Sequence, residues 1–239
     1  MGMRRYFSLL LATLSFCLTA YFAALRSIVQ GVEGGVLVSE GKQFVVVIDA
    51  GHGGIDGGVT GRQTGVKESD VNLAVSFALK DVFEDAGFLV VLTRKTEHGL
   101  TKDGGLWTKN GDMRRRREII QSVSPDLVLS IHQNFLPSSS NVRGGQVFYR
   151  EGESNEKLAL CVQDGINSVY TKHGVKSRQA KAGKYYMLEC TDAPSLIVEC
   201  GFLSNAEDEY LLTTSSHKRQ IASAIFSGAL AYLQGENSF

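Results

Sequence analysis

Four side chains in this 239-residue chain could together activate a water molecule: His52, Glu68, His132 and Glu199. Two neutral imidazoles and one carboxylate make a three-ligand zinc site whose fourth position stays open for water. The remaining carboxylate would then move the proton, since zinc brings the pKa of a bound water to about 7. Taken singly, these residues also have plainer readings. A histidine in a glycine-rich turn is more often a hydrogen-bonded loop residue than a ligand. The turn around His52 could instead cradle a phosphate, but it lacks the G-x-G-x-x-G spacing and a helix opening directly from the glycines.

Each of the four follows or opens an element that could hold it still. Phe44 to Ile48 is a short, continuous, β-branched run, which reads as a strand covered on both faces. Asp49 and the glycines from Gly51 to Gly58 end it abruptly, and His52 lies in that turn. Asp126 to Ile131 repeats the arrangement, with His132 next, and Pro194 to Gly201 is a third such run that carries Glu199 near its end. Glu68 precedes a helix in which Ser69 is the expected N-cap and Val71, Val75, Leu79 and Phe83 recur at helical spacing up to Gly87. The positive end of that helix favours a carboxylate.

Strands are also expected at Phe88 to Thr93, Gly145 to Tyr149 and Tyr185 to Leu188. Further helices are expected from Arg114 to Val123, from Asn155 to Tyr170, and as one long closing helix capped by Asn205 and carrying Ile221, Ile225, Ala229 and Leu233. The alternation predicts an α/β fold: a single domain with a twisted, mostly parallel sheet flanked by helices. In such sheets ligands bind beyond the carboxyl ends of the strands, where three of the four residues fall.

Other residues carry weaker expectations. Arg114 to Arg117 cannot share one helix face, so most read as solvated, with Arg117 retained as a contact for a substrate carboxylate. Asn134, two residues past His132, is a candidate for hydrogen bonding to substrate, and Asn72 could orient a ligand. Glu189 is a rival for the proton-shuttle role but lacks the P-x-L-x-V-E-x-G context that surrounds Glu199. His98, His173 and His217 read as surface residues, and Cys17, Cys161, Cys190 and Cys200, with no C-x-x-C spacing, as thiols rather than a disulfide framework or a zinc cluster. The polar loop from Thr96 to Asp112, with the only tryptophan, Trp107, reads equally as a groove rim or a surface loop.

Composition sets the outer bounds. A formal net charge of +0 excludes broad electrostatic binding to nucleic acid, and 26 glycines with 3 prolines do not suggest disorder. Arg4 and Arg5 precede an uncharged stretch from Tyr6 to Leu25, near the length that spans a bilayer. Residues 1–26 therefore read as a signal-anchor or transmembrane segment, 27–42 as a glycine-rich tether, and 43–235 as the catalytic domain. The arginine bias puts the N-terminus in the cytoplasm and the domain outside, so the partner surfaces include a membrane and the domain is exported.

Four stretches in register then carry a resemblance: VVVIDAGHGG, KESDVNLA, SIHQN and PSLIVECGFLSN. Together they resemble the zinc-dependent N-acetylmuramoyl-L-alanine amidases of the Amidase_3 family, over nearly the whole length from Phe44 to Leu233. The resemblance implies His52, Glu68 and His132 as Zn2+ ligands and Glu199 as the catalytic acid and base. It implies peptidoglycan as substrate, cut between the muramic acid lactyl group and L-alanine of the stem peptide. Within the family the short chain is similar to the sporulation amidases, which implies work on spore cortex, ahead of muramic-δ-lactam formation, and a role in germination. Some of those rely on a lipoprotein activator. The inhibitory helix of certain cell-division relatives has no counterpart between Tyr170 and Tyr185, so an open groove is expected. The same residues would also serve a zinc peptidase or deacetylase on another cell-wall amide, or persist in a non-catalytic wall-binding homologue.

Overall fold

A computed structural model of the chain describes residues 43–100 and 106–236, so the expected anchor and tether lie outside the described residues. Among the described residues no helix is long and apolar enough to cross a membrane. The strands are β1 (Val45–Ala50), β2 (Leu89–Leu92), β3 (Leu127–Asn134), β4 (Gln146–Tyr149), β5 (Lys181–Ala182) and β6 (Ser195–Phe202), with β-branched runs forming β1, β3 and β6. They assemble into one six-stranded sheet in the order β2-β1-β3-β6-β4-β5. β1 runs parallel to β2 and β3, and β3 parallel to β6; β4 runs antiparallel to β6, and the edge strand β5 shares its reversed direction, parallel to β4. The fold is thus α/β with a mostly parallel sheet.

The period of two along each strand sorts side chains between two layers. Val46, Ile48, Leu127, Leu129, Leu196 and Val198 face the main core with helices α1 (Glu68–Asp85), α3 (Glu153–Thr171) and α5 (Ser215–Glu236). Val47, Val128 and Ile197 face the other way and pack with Ile120 of helix α2 (Lys109–Ser122) and with Met187 and Leu188. Continuing the same alternation, Asp49, Ser130, His132 and Glu199 point to the α2 side at the carboxyl ends of their strands.

Several expected boundaries are corrected. Ser69 is not a cap: α1 already starts at Glu68, after an extended Lys67 that makes no capping bond. The loop does that work instead, because the N–H groups of Glu68 and Ser69 donate to the carbonyls of Val59 and Gly57. Helix α2 begins at Lys109, well before Arg114, because Thr108 caps it by accepting from the Gly111 N–H. Tyr185 to Leu188 is no strand; Tyr186–Glu189 is one turn of 3-10 helix that buries the adjacent pair Met187 and Leu188. The closing helix is two, with α4 (Ala206–Thr213) ending at an extended Thr214 before α5 begins. Asn205 does cap α4, accepting from the N–H groups of Glu207 and Asp208.

Candidate active site

Three separate strands and one helix end deliver the four residues to one place. His132 lies near the carboxyl end of β3, directly beside Glu199 of β6, its register partner. His52 sits in the turn after β1 in the left-handed region, at φ 60°, unusual for a side chain with a Cβ. Glu68 is buried at the mouth of α1, and its carboxylate is the meeting point. Its Oε1 lies 2.9 Å from His132 Nδ1 and 3.3 Å from His52 Nε2, and it also accepts from the Gln133 N–H at 3.1 Å. Its Oε2 accepts from the Val59 N–H at 3.0 Å. One ligand atom from each of His52, Glu68 and His132 can be chosen so that all three lie within 4.8 Å of one another.

Glycine makes this convergence sterically feasible at two positions. A Cβ on Gly51 would stand 2.3 Å from two atoms of the His132 ring. At Gly58, where φ is +67°, it would stand 2.5 Å from Glu68 Oε2 and 2.9 Å from the His52 ring. The turn sequence is therefore cut to the shape of the three side chains behind it.

The electrostatics of the two carboxylates diverge. Burial raises the pKa of each, but for Glu68 the hydrogen bonds and charges of His132 and His52 outweigh it and hold the group well below the usual carboxylate range. For Glu199 burial wins, and its carboxyl is pushed up to about 7, with the neighbouring Glu68 charge adding to the rise. Glu199 Oε2 is buried and has no hydrogen-bond partner. One carboxylate is thus committed to its neighbours, and the other is poised to exchange a proton near neutrality.

Beside this centre lies a cleft whose lining includes Met113, Tyr185, Tyr186, Met187 and Ile197 together with His52, His132 and Asp56. Between the end of α3 at Thr171 and Tyr185 the chain holds only turn, loop and the two-residue β5, with no helix in the expected span.

Residues 46–231 match the Amidase_3 family, described as N-acetylmuramoyl-L-alanine amidase. The chain belongs to this family. Among its relatives is the germination-specific N-acetylmuramoyl-L-alanine amidase of Bacillus subtilis (strain 168), 31% identical over 79% of this chain and 79% of that protein. The solved CwlD amidase from Clostridioides difficile, in complex with the GerS lipoprotein, superposes with a TM-score of 0.76 and 34% identity, covering 81% of this chain and 100% of that one. N-acetylmuramoyl-L-alanine amidase AmiC2 of Nostoc punctiforme has a TM-score of 0.68 and 31% identity, over 81% of this chain and 98% of that one.

In this amidase the arginine cluster departs from expectation. Arg114, Arg115 and Arg117 are exposed, but Arg116 is buried at 2% exposure and is neither solvated nor free for substrate. It donates to Asp49 Oδ1, Asp112 Oδ1 and the carbonyls of Ala50 and His52, at 2.6 to 2.7 Å. Asp49, fully buried, also accepts from the hydroxyls of Thr93 and Ser130; burial raises its pKa, but Arg116 and these hydroxyls outweigh that and hold it down to about 2. The signal for Arg116 was present as spacing: Asp112, Arg116 and Ile120 fall four apart and form the buried stripe of α2.

Of the remaining candidates, Asn72 is buried and donates to the Gly51 carbonyl and to Glu68 Oε1, while its own Oδ1 accepts from Gln133. Asn134 is half-buried, and its Oδ1 accepts from the Phe135 N–H. Glu189 is exposed, 3.5 Å from Arg150. His98 and His173 are exposed, but His217 is not a surface residue: it is 2% exposed, packed edge-on to Tyr170. Its polar neighbours in sequence hid a place on the inner face of α5. Cys190 and Cys200 are buried and Cys161 half-buried, all three as free thiols; Cys17 lies outside the described residues.

Proposed function

We propose that this amidase is a zinc hydrolase that cleaves the amide between N-acetylmuramic acid and L-alanine in peptidoglycan, with His52, Glu68 and His132 holding the metal and Glu199 moving the proton. The observation that carries the reading is the convergence of two imidazole nitrogens on one Glu68 oxygen, beside a second carboxylate with a buried, unpartnered oxygen. Two nitrogens and one oxygen are a donor set suited to zinc, and one short of a closed structural site. Gly51 and Gly58 leave the donors room to stand this close.

When bound, zinc supplies Lewis acidity to the scissile carbonyl and to a water. Glu199 takes the proton from the attacking water and returns it to the nitrogen of the departing L-alanine, a role that suits a group held up to about 7. Asn72 and Gln133 keep the Glu68 carboxylate in one orientation. The lining of Tyr185, Tyr186 and Met187 gives the cleft apolar and aromatic surface for a sugar or peptide segment. Asn134 and Arg117 would add further contacts to the substrate.

Likeness to a germination-specific relative supports work on spore peptidoglycan, upstream of muramic-δ-lactam formation and germination. The CwlD amidase solved with a lipoprotein supports a partner of that kind here. Residues 1–26 would tether the enzyme to the outer face of the membrane, which matches an extracytoplasmic substrate. The test joins zinc analysis of the purified protein with mass analysis of digested peptidoglycan. The expected result is one zinc per chain and stem peptides released with a new alanine amino terminus from an intact glycan. Acetate release, or cleavage inside the stem peptide, would refute the proposed bond. Glu199→Gln is expected to keep zinc and lose turnover by about 100-fold or more; normal turnover would remove Glu199 from its role.

A further inference from the structure

The turn that presents His52 is energetically unfavourable by itself. A non-glycine residue in the left-handed region costs about 1–2 kcal/mol and persists only where the surroundings hold it. Here the surroundings are two buried guanidiniums. Arg94, two residues beyond β2, donates to the carbonyls of Ala50 and Gly51, and Arg116, from α2, donates to those of Ala50 and His52. The three carbonyls that lead into and through the turn are all engaged. Only Arg116 reaches the carbonyl of His52 itself, at 2.6 Å.

Arg116 can do this because it is held on its far side. Asp112 takes Nε at 2.6 Å from one turn earlier on α2, and Asp49 takes Nη1 at 2.6 Å from the end of β1. The planar fork thus has a fixed orientation, with Nη2 left for His52. A lysine could reproduce the charge opposite Asp49, but not the simultaneous bonds to Asp112, Ala50 and His52.

We propose that Arg116 is a positioning residue for the metal site: its grip on the His52 carbonyl keeps the strained turn in the one conformation that aims the His52 ring at Glu68 and His132. The inference rests on the zinc reading of the site. Without that grip the turn relaxes toward ordinary backbone angles, and the His52 ring swings off the point where the other two donors meet.

The experiment measures zinc affinity of the full chain by competition with a chromophoric chelator, together with the visible spectrum of the cobalt-substituted protein and the melting temperature. Arg116→Lys is expected to weaken zinc binding by about tenfold or more, in the range for groups that orient metal ligands, and to alter the cobalt spectrum. Ile120→Ala, on the same buried stripe but away from the turn, is the stability control: its melting temperature falls while zinc affinity holds. If Arg116→Lys does not fold, Asp112→Ala replaces it, since loss of that acceptor frees the fork and should weaken zinc in the same direction. Zinc affinity within twofold of the parent in the folded variant, or an equal loss in Ile120→Ala, would overturn the proposal. A parent protein that binds no zinc at all would instead refute the metal reading on which it depends.

Discussion

Gly51→Ala is the sharpest single perturbation of the proposed centre. The backbone at Gly51 is not in the left-handed region, so alanine is conformationally acceptable there and the effect is confined to one added methyl. That methyl would sit 2.3 Å from both Cε1 and Nε2 of His132 and 2.8 Å from Cδ2. Ordinary van der Waals contact begins at 3.4 Å, so the imidazole must retreat by about 1 Å or the β1 turn must move by as much. Overpacking of this kind costs about 1–3 kcal/mol of stability, which a domain of this size can survive. The site cannot absorb it as easily. Metal ligands tolerate about 0.2 Å of displacement, and a misplacement of about 1 Å at a catalytic centre costs roughly 100-fold in rate. Gly51→Ala is therefore expected to fold, to lose most of its zinc on dialysis and to turn over at least 100-fold more slowly. Gly65→Ala is the matched control, because φ there is +71° but a Cβ would meet nothing within 4 Å. It should cost about 1 kcal/mol of backbone strain and leave zinc and turnover untouched. Stoichiometric zinc and parental turnover in Gly51→Ala would refute the placement of His132 in the site.

Two more outcomes follow from the same geometry. Burial holds His217 neutral, with its pKa lowered to about 4, with His173 adding to the effect. Its folded value lies below the unfolded one, so the stability it contributes is fully present above about 6.5 and is lost as pH falls toward 4, by at most about 3 kcal/mol. Urea midpoints measured from pH 7 to pH 4 should fall, and should fall less in His217→Gln; parallel curves would contradict the assignment. Arg117→Ala should raise KM with kcat and zinc content unchanged if the exposed guanidinium meets a substrate carboxylate, whereas an unchanged KM would return Arg117 to solvent.

The sequence made most of the frame legible. The β-branched runs that became β1, β3 and β6 stand out because strands buried on both faces admit little but apolar residues, and their abrupt glycine or histidine endings mark the carboxyl edge. Elements stabilised by remote groups were harder to see. The start of α1 is satisfied by carbonyls of Gly57 and Val59, in the loop that precedes it, rather than by a capping side chain, so no local capping signal identifies it. The two exposed residues of β5 carry no hydrophobic period, and they pair only because β4 leaves an edge beside them.

By itself, the sequence determined which residue types end the central strands and open the first helix, and hence the candidate set His52, Glu68, His132 and Glu199, because strand period, helical spacing and glycine turns are local properties. It could not determine what holds that set in place. Whether one of four consecutive arginines is solvated or buried depends on which face of α2 meets the sheet, and that is decided only when Asp49 of β1 and Asp112 of α2 come within 2.6 Å of Arg116. The same holds for the room at Gly51, which matters only because His132, from another strand, fills it. The identity of the candidate residues is written along the chain; the distances between them, and the groups that enforce those distances, arise from contacts between segments far apart in sequence.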